Sequence, residues 1–149
     1  QVAGGLELGR INIAARGAGM AKGATKMALH YAMERKTFGK AIAEHQAIQL
    51  KLAEMSTRAA AAELLVSQAA AKYDHQERCD LEAGQAKFFA SEAAVQNSLD
   101  AMRVFGGYSY SPEYEIERFY RDAPLLCIGE GTNEIQRMII AKQMVARAS

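Results

Sequence analysis

The chain has 149 residues, half of them apolar, and a net charge of +1, which is the size and composition of one domain with a real core. The near-neutral balance, with no clustered basic face, gives no support to a nucleic-acid partner. No uninterrupted apolar stretch is long enough to span a bilayer, and there is no signal-peptide pattern, so no membrane partner is expected either.

Alanine is used heavily, Trp is absent and there are only two Pro, a mix that favours helices packed through small side chains. The chain opens at Gln1, without Met, directly into Ala3-Gly4-Gly5-Leu6, and reads as a piece of a longer protein. In the first predicted helix Leu6, Ile13, Met20 and Met27 recur every seven residues, with Gly17, Ala24 and Tyr31 between or just after them. This predicts one apolar or small face, ending where Glu34 takes the next heptad position. Gly17, Gly19 and Gly23 each weaken a helix by up to about 1 kcal/mol, which a close helix neighbour would explain.

Arg35 to Lys40 breaks the pattern. A second helix follows, with Ile48, Leu52, Met55, Ala59, Ala62, Val66, Ala69 and Tyr73 at steps of four and three. Asp74 to Asp80 reads as a loop. A third helix is expected from about Leu81 to Phe105, with Phe88, Val95, Leu99 and Met102 on its apolar side, stopped by Gly106-Gly107. Tyr114 to Asp122 reads as a short helix ending near Pro124. Leu125 to Ile128 reads as a buried approach to Gly129-Glu130-Gly131 rather than as a strand. A last helix starts near Thr132 or Asn133 and runs to about Ala146. The expected architecture is all-α, a mostly up-and-down bundle filling residues 1–149 as a single domain.

Three irregular segments rich in Gly, Thr and Arg are not needed by a simple bundle, and function tends to sit where local rules are broken. Glu130 follows an apolar run and has glycine on both sides, which lets the backbone turn tightly and a ligand come close. Apolar surroundings would raise its pKa toward that of a general base, whereas the following helix N-terminus would lower it. On local features alone the favoured reading is a plain loop carboxylate near a helix start. The cations around Thr37 and Gly39 are suited either to phosphate oxygens or to the negative pole of a helix end. His30, His45 and His75 are scattered without metal-ligand spacing, so no metal is expected. No Ser or Cys sits in a nucleophile-elbow pattern. Cys79 and Cys127 are isolated, which suits free thiols in a reducing compartment.

Taken in order, these segments resemble the acyl-CoA dehydrogenase family across the whole chain. Glu34-Arg35-Lys36-Thr37-Phe38-Gly39-Lys40 with His45-Gln46 is similar to the family's flavin-contact motif. Val104-Phe105-Gly106-Gly107-Tyr108 is similar to its helix-terminating segment. Tyr120-Arg121-Asp122-Ala123 and Gly129-Glu130-Gly131-Thr132-Asn133-Glu134-Ile135-Gln136-Arg137 are similar to its C-terminal signature. The resemblance implies the C-terminal helical domain of an FAD-dependent enzyme that converts an acyl-CoA thioester to the trans-2-enoyl-CoA. In it Glu130 removes the α-proton, its backbone N–H helps to hold the thioester carbonyl, and the β-hydrogen leaves as hydride to flavin. Some members carry the base on the helix that here begins the chain, and the matching position is Gly9, which cannot serve.

Flavin contacts carry over to Arg35, Thr37, Phe38, Gln46, Gly106, Gly107, Thr132 and Glu134, with Arg103 where many members have Gln. Substrate contacts carry over to Arg10 and Gly131, and more weakly to Glu7 and Lys142. Gly129 replaces a Tyr often found before the base, which bears on the acyl pocket. The resemblance also implies a homodimer or homotetramer in which the Arg35 loop reaches a neighbouring subunit's FAD, an electron-transfer flavoprotein as acceptor, and a bacterial-cytoplasmic or mitochondrial-matrix setting. The family's N-terminal helical and middle β-domains have no counterpart here, so the isolated chain is expected to be inert and to bind FAD weakly or not at all. Competing readings are an oxidase relative using O₂ and a non-enzymatic helical oligomerisation module, which has no use for a Gly-Glu-Gly turn.

Overall fold

The computed structural model describes residues 2–148, with side chains from residue 6 onward. Five helices dominate: α1 (Val2–Glu34), α2 (Gln46–Asp74), α3 (Asp80–Phe105), α4 (Ile116–Ile128) and α5 (Asn133–Ala148). The expected all-α bundle is what forms. α1 and α3 run in the same direction, since Arg10 lies by Asp80, Gly17 by Ala90 and Ala21 by Asn97. α2 and α4 return antiparallel to them, α4 bringing Phe119 to Gly23 and Leu126 into the cluster around Ile13. α5 lies across the first half of α3, with Asn133 beside Ser91, Ile140 at Gly84 and Arg147 on Glu82.

The seam of α1 is not the predicted heptad. Its buried stripe is Ile11, Ala14, Gly17, Ala18, Ala21, Ala24, Ala28 and Ala32. Leu6 is exposed, Ile13 and Met20 sit on the flank against α4, and Met27 and Tyr31 are only partly buried. Side chains as large as Leu or Met cannot enter so close a contact, so the small residues take it. α3 differs in the same way. It is the central helix, covered on most sides by α1, α2, α4 and α5, and buries small and polar groups, while Phe88, Val95, Leu99 and Met102 stay half-buried. The seam of α2 is as predicted, with Met55, Ala59, Ala62 and Ala69 buried and Ile48, Leu52, Val66 and Tyr73 packed around them.

Buried polar groups lock these helices. The Asn97 amide donates to the carbonyls of Ala21 and Met55 at 3.2 and 2.8 Å, so one side chain on α3 ties α1 to α2. Arg58 Nε donates to Asn97 Oδ1 at 2.7 Å, and Asp100 collects Arg58, Lys51 and Arg103. Glu82 accepts from Arg147 and Lys72, which joins α3 to α5 and α2; these bonds, Arg147's foremost, hold its carboxyl at a pKa of about 2.

Two local expectations are corrected. α4 does not stop before Pro124 but runs through it to Ile128. Pro124 and Tyr120, four residues earlier, are both exposed, so the missing N–H falls where water takes its place. Leu125 to Ile128 is therefore the last turn of an amphipathic helix. Leu126 is buried, but Leu125 and Ile128 are each 62 % exposed, so it is not a buried approach. Arg35 to Ala41 also contains a small hairpin, β1 (Lys36–Thr37) against β2 (Lys40–Ala41), turned by Phe38 and Gly39 at φ 52° and 80°. Two consecutive positive φ values make a type I′ turn, which matches strand twist.

The glycines of α1 give predictions of opposite sign. A Cβ at Gly17 would lie 2.7 Å from the Ala90 carbonyl oxygen, whereas one at Gly19 meets nothing within 4 Å. Gly17→Ala should cost about 1–3 kcal/mol through overpacking. Gly19→Ala should gain about 0.5–1 kcal/mol through helix propensity. Denaturant midpoints that shift in the same direction for both would contradict the close approach.

Candidate functional site

The chain leaves α4 through Gly129, whose N–H bonds the Leu125 carbonyl at 2.9 Å. Glu130 and Gly131 then take successive left-handed conformations, φ 55° and 87°, before Thr132 accepts the Gln136 N–H and α5 begins. A glutamate there is strained by roughly 1–3 kcal/mol and persists only if its surroundings hold it. They do: Gln136 Nε2 donates to the Glu130 and Gly131 carbonyls at 3.2 and 3.1 Å. The N–H of Glu130 bonds nothing among the described residues.

The turn aims the Glu130 side chain across α1. A Cβ at Gly9 would fall 2.6 Å from Glu130 Oε2, so the carboxylate lies directly over the bare backbone of α1. Residues 9 and 130, the two positions considered for a base, meet at one point in space. Glu130 is exposed there, on the open side of the bundle. Gly131, Thr132 and Glu134 surround the same turn. The Glu134 carboxyl is held below its ordinary range, first by backbone N–H donation at the start of α5 and then by the Thr132 hydroxyl.

Glu7 and Arg10 flank Gly9 within the same turn of α1 but face the start of α3. Glu7 Oε1 accepts the Cys79 N–H at 3.2 Å, and Arg10 Nη1 stands 3.6 Å from Asp80. Arg10 Nε and Nη1 are buried without a hydrogen-bond partner. Lys142, on α5 eight residues past Glu134, is exposed and about 12 Å further along the helix. Both cysteines are free, and burial raises both thiols, Cys79 to about 11, which leaves them unreactive.

A second constellation forms at the other end of α1. Arg35, Thr37, Phe38, Gly106 and Gly107, five of the residues assigned to flavin contact, line one groove of about 630 Å³. The Arg35 guanidinium lies 5.5 Å from the Tyr108 ring, and Tyr31 stacks on Phe105. His45, before the first turn of α2, shares a 3.1 Å hydrogen bond with Thr37 and so latches the hairpin. Gln46 follows it and is exposed. Arg103 lies outside the groove, bonded to Asp100 at 3.2 Å. A Cβ at Gly106 or Gly107 would meet nothing within 4 Å, so side chains there would fill open groove. A cationic and hydroxylic rim, bare glycine backbone and an aromatic wall suit the phosphate and ring portions of a flavin nucleotide. Phe38 is 96 % exposed although held at a positive φ, an arrangement that makes sense if it contacts something outside this chain.

The two constellations stand apart. From Gly9 to Tyr31 α1 rises by about 33 Å, so the groove and Glu130 occupy opposite ends of the bundle.

Sequence reasoning missed what lies beneath the Glu130 turn. Lys87 is fully buried, with its Nζ donating to the Cys127 carbonyl at 3.0 Å and to Asn133 Oδ1 at 2.8 Å. Asn133 in turn donates to Ser91 Oγ and Glu92. The available signal was a lysine inside the small-residue stripe Ala83, Ala86, Ala90 and Ala94.

Comparison with known proteins gives matches along nearly the whole chain. Residues 1–145 match the family model described as acyl-CoA dehydrogenase, C-terminal domain. A 3-(aryl)acrylate reductase of Clostridium sporogenes is 49% identical over 140 residues, 94% of this chain and 37% of that protein. A caffeyl-CoA reductase–Etf complex subunit of Acetobacterium woodii is 42% identical over 142 residues, 95% of this chain and 38% of that protein. Butyryl-CoA dehydrogenase of Megasphaera elsdenii superposes with a TM-score of 0.92 at 39% identity, covering 94% of this chain and 37% of that one. The chain thus spans under two-fifths of the length of the relatives it matches.

The Gly9 contact is directly testable. Gly9→Ala should push the Glu130 carboxylate aside without destabilising the domain, because only the far end of a flexible side chain must move and the helix gains propensity. A crystal structure of the variant with Oε2 unmoved, or a markedly destabilised variant, would contradict the juxtaposition.

Proposed function

Because the chain belongs to the acyl-CoA dehydrogenase family, as its C-terminal helical domain, we propose that it supplies the base for α,β-dehydrogenation of an acyl-CoA thioester to the trans-2-enoyl-CoA. The observation that carries this reading is the Glu130 carboxylate, exposed over Gly9 on a strained turn that two side chains of the fold hold closed. Glu130 takes the α-hydrogen as a proton, leaving the electron pair to delocalise into the thioester carbonyl. Its own N–H, without a partner in the chain, is available to that carbonyl oxygen and stabilises the charge that develops there. FAD, when bound, supplies the acceptor for the β-hydrogen and its electron pair. Gly9 leaves the space above α1 to the carboxylate and the acyl chain. Arg10, with two buried nitrogens lacking hydrogen-bond partners, has capacity for a polar group brought by substrate or by another domain.

Run in reverse, the same carboxyl group would deliver the α-proton, and a 3-(aryl)acrylate reductase is among the relatives.

Thr132 and Glu134 sit by the base and are assigned to the flavin that serves it. Arg35, Thr37, Phe38, Gln46, Gly106 and Gly107 stand at the far end and are assigned to the flavin of a neighbouring subunit, with Arg103 beside them. A homodimer, doubled to a tetramer, follows as part of the site. Apolar side chains left bare on α2 and α5, among them Leu64 and Met138, suit such packing. An electron-transfer flavoprotein is the proposed acceptor, supported by the relative named as part of an Etf complex. Among the described residues no helix is long and apolar enough to cross a membrane.

Two measurements test this reading. In the full-length protein, Glu130→Gln should lower turnover by about 100- to 10,000-fold with FAD content unchanged; surviving turnover would remove Glu130 as the base. The isolated domain should show no dehydrogenation of butyryl- or octanoyl-CoA, and measurable activity would show that it needs no other domain.

A further inference from the structure

Lys87 presents a chemical puzzle. It has no solvent exposure and no carboxylate bonded to it, and its Nζ donates only to the neutral oxygens of Cys127 and Asn133. Burial disfavours the ammonium group and lowers its pKa, the carboxylates of Glu134 and Glu92 offset this only from beyond hydrogen-bond reach, and a methionine would fill the same space without that cost. The group must therefore matter for what it bonds. Its two acceptors lie three residues before and three residues after Glu130, at the last turn of α4 and the first residue of α5.

We propose that Lys87 is a positioning residue for Glu130: anchored in α3, it ties the end of α4 to the start of α5 and so fixes the left-handed turn that holds the carboxylate over Gly9. The geometry is that of a clasp. The Cys127 carbonyl is one of the orphan acceptors at the negative end of α4, where a cation is favoured. The carbonyl oxygen of the Asn133 side chain takes the second bond, and its NH₂ is held by Ser91 and Glu92, so that α3 grips α5 at a defined height. Gln136 completes the arrangement from the α5 side by bonding the Glu130 and Gly131 carbonyls. The backbone of the turn is thereby tied from below on both flanks, while the Glu130 side chain and N–H are left to the open face. Lys87 bonds no reacting atom and acts through the turn alone.

This inference rests on the reading of Glu130 as base, and the test separates the two. The full-length FAD-loaded protein is given an acyl-CoA with sulfur in place of the β-carbon, which has α-protons but no β-hydride to lose. Exchange of those α-protons with D₂O then reads proton removal alone. Lys87→Met should slow exchange by about tenfold or more while FAD content and affinity for the analogue stay within about threefold, the pattern of a displaced base rather than a lost site. Backbone hydrogen exchange should rise in residues 127–133 and not across the bundle. Asn133→Ala, which removes one end of the clasp, should act in the same direction, and the double variant should be no slower than the worse single one. Unchanged α-proton exchange in Lys87→Met overturns the proposal. So does loss of FAD in both single variants, because Lys87 then serves folding alone. Should Lys87→Met fail to fold, unimpaired exchange in a folded Asn133→Ala overturns it equally. Full exchange in Glu130→Gln would instead overturn the base assignment beneath it.

Discussion

Where Gly17 meets the Ala90 carbonyl, α1 and α3 come too close for any side chain to stand between them. Much follows from that contact. From Ala14 onward the stripe along α1 is alanine and glycine, and Ile13 and Met20 lie outward as the surface on which α4 packs. α3 is enclosed, and its larger buried polar side chains, Asn97, Asp100, Glu82 and Lys87, each find partners, while the small Ser98 hydroxyl has none. On the α4-facing flank, one turn before Ile13, Gly9 leaves the backbone bare. α4 descends along α1 and delivers Glu130 to that place.

Of the three described non-glycine residues at positive φ, Gln76 sits in the turn between α2 and α3, and the other two lie at the candidate sites. Phe38 and Glu130 are held at positive φ near opposite ends of α1, one at the tip of the hairpin and one over Gly9. The Lys87–Asn133 and Gln136 bonds secure the second, and the His45–Thr37 bond secures the first. On the proposed reading, the span of about 33 Å between them separates the flavin a domain serves with its base from the one it reaches in a neighbour.

Much of this was legible in the sequence, for identifiable reasons. The α2 seam could be read because its apolar residues are mostly large and keep steps of four and three. The Gly-Glu-Gly turn and the Gly106-Gly107 stop could be read because glycine marks departures from helix. The α1 stripe was hidden because alanine carries little pattern beside Leu and Met, although it wins where helices touch. Pro124 misled because its cost depends on whether the lost bond faces water, which is a tertiary fact. Two-residue strands are too short to alternate. The meeting of residues 9 and 130 could not be read locally, since it depends on how α4 lies against α1. Family resemblance singled out the same two positions, and in the folded chain the Glu130 carboxylate lies over Gly9.

That convergence can be put to a single test. In the full-length, FAD-loaded protein, Glu130→Gly removes the carboxylate, and adding Gly9→Glu supplies one from α1 to the same space. The double variant should remove the α-proton of an acyl-CoA at least about tenfold faster than Glu130→Gly alone. Absence of any recovery, in a double variant that still holds FAD and acyl-CoA, would contradict the placement of the base over Gly9.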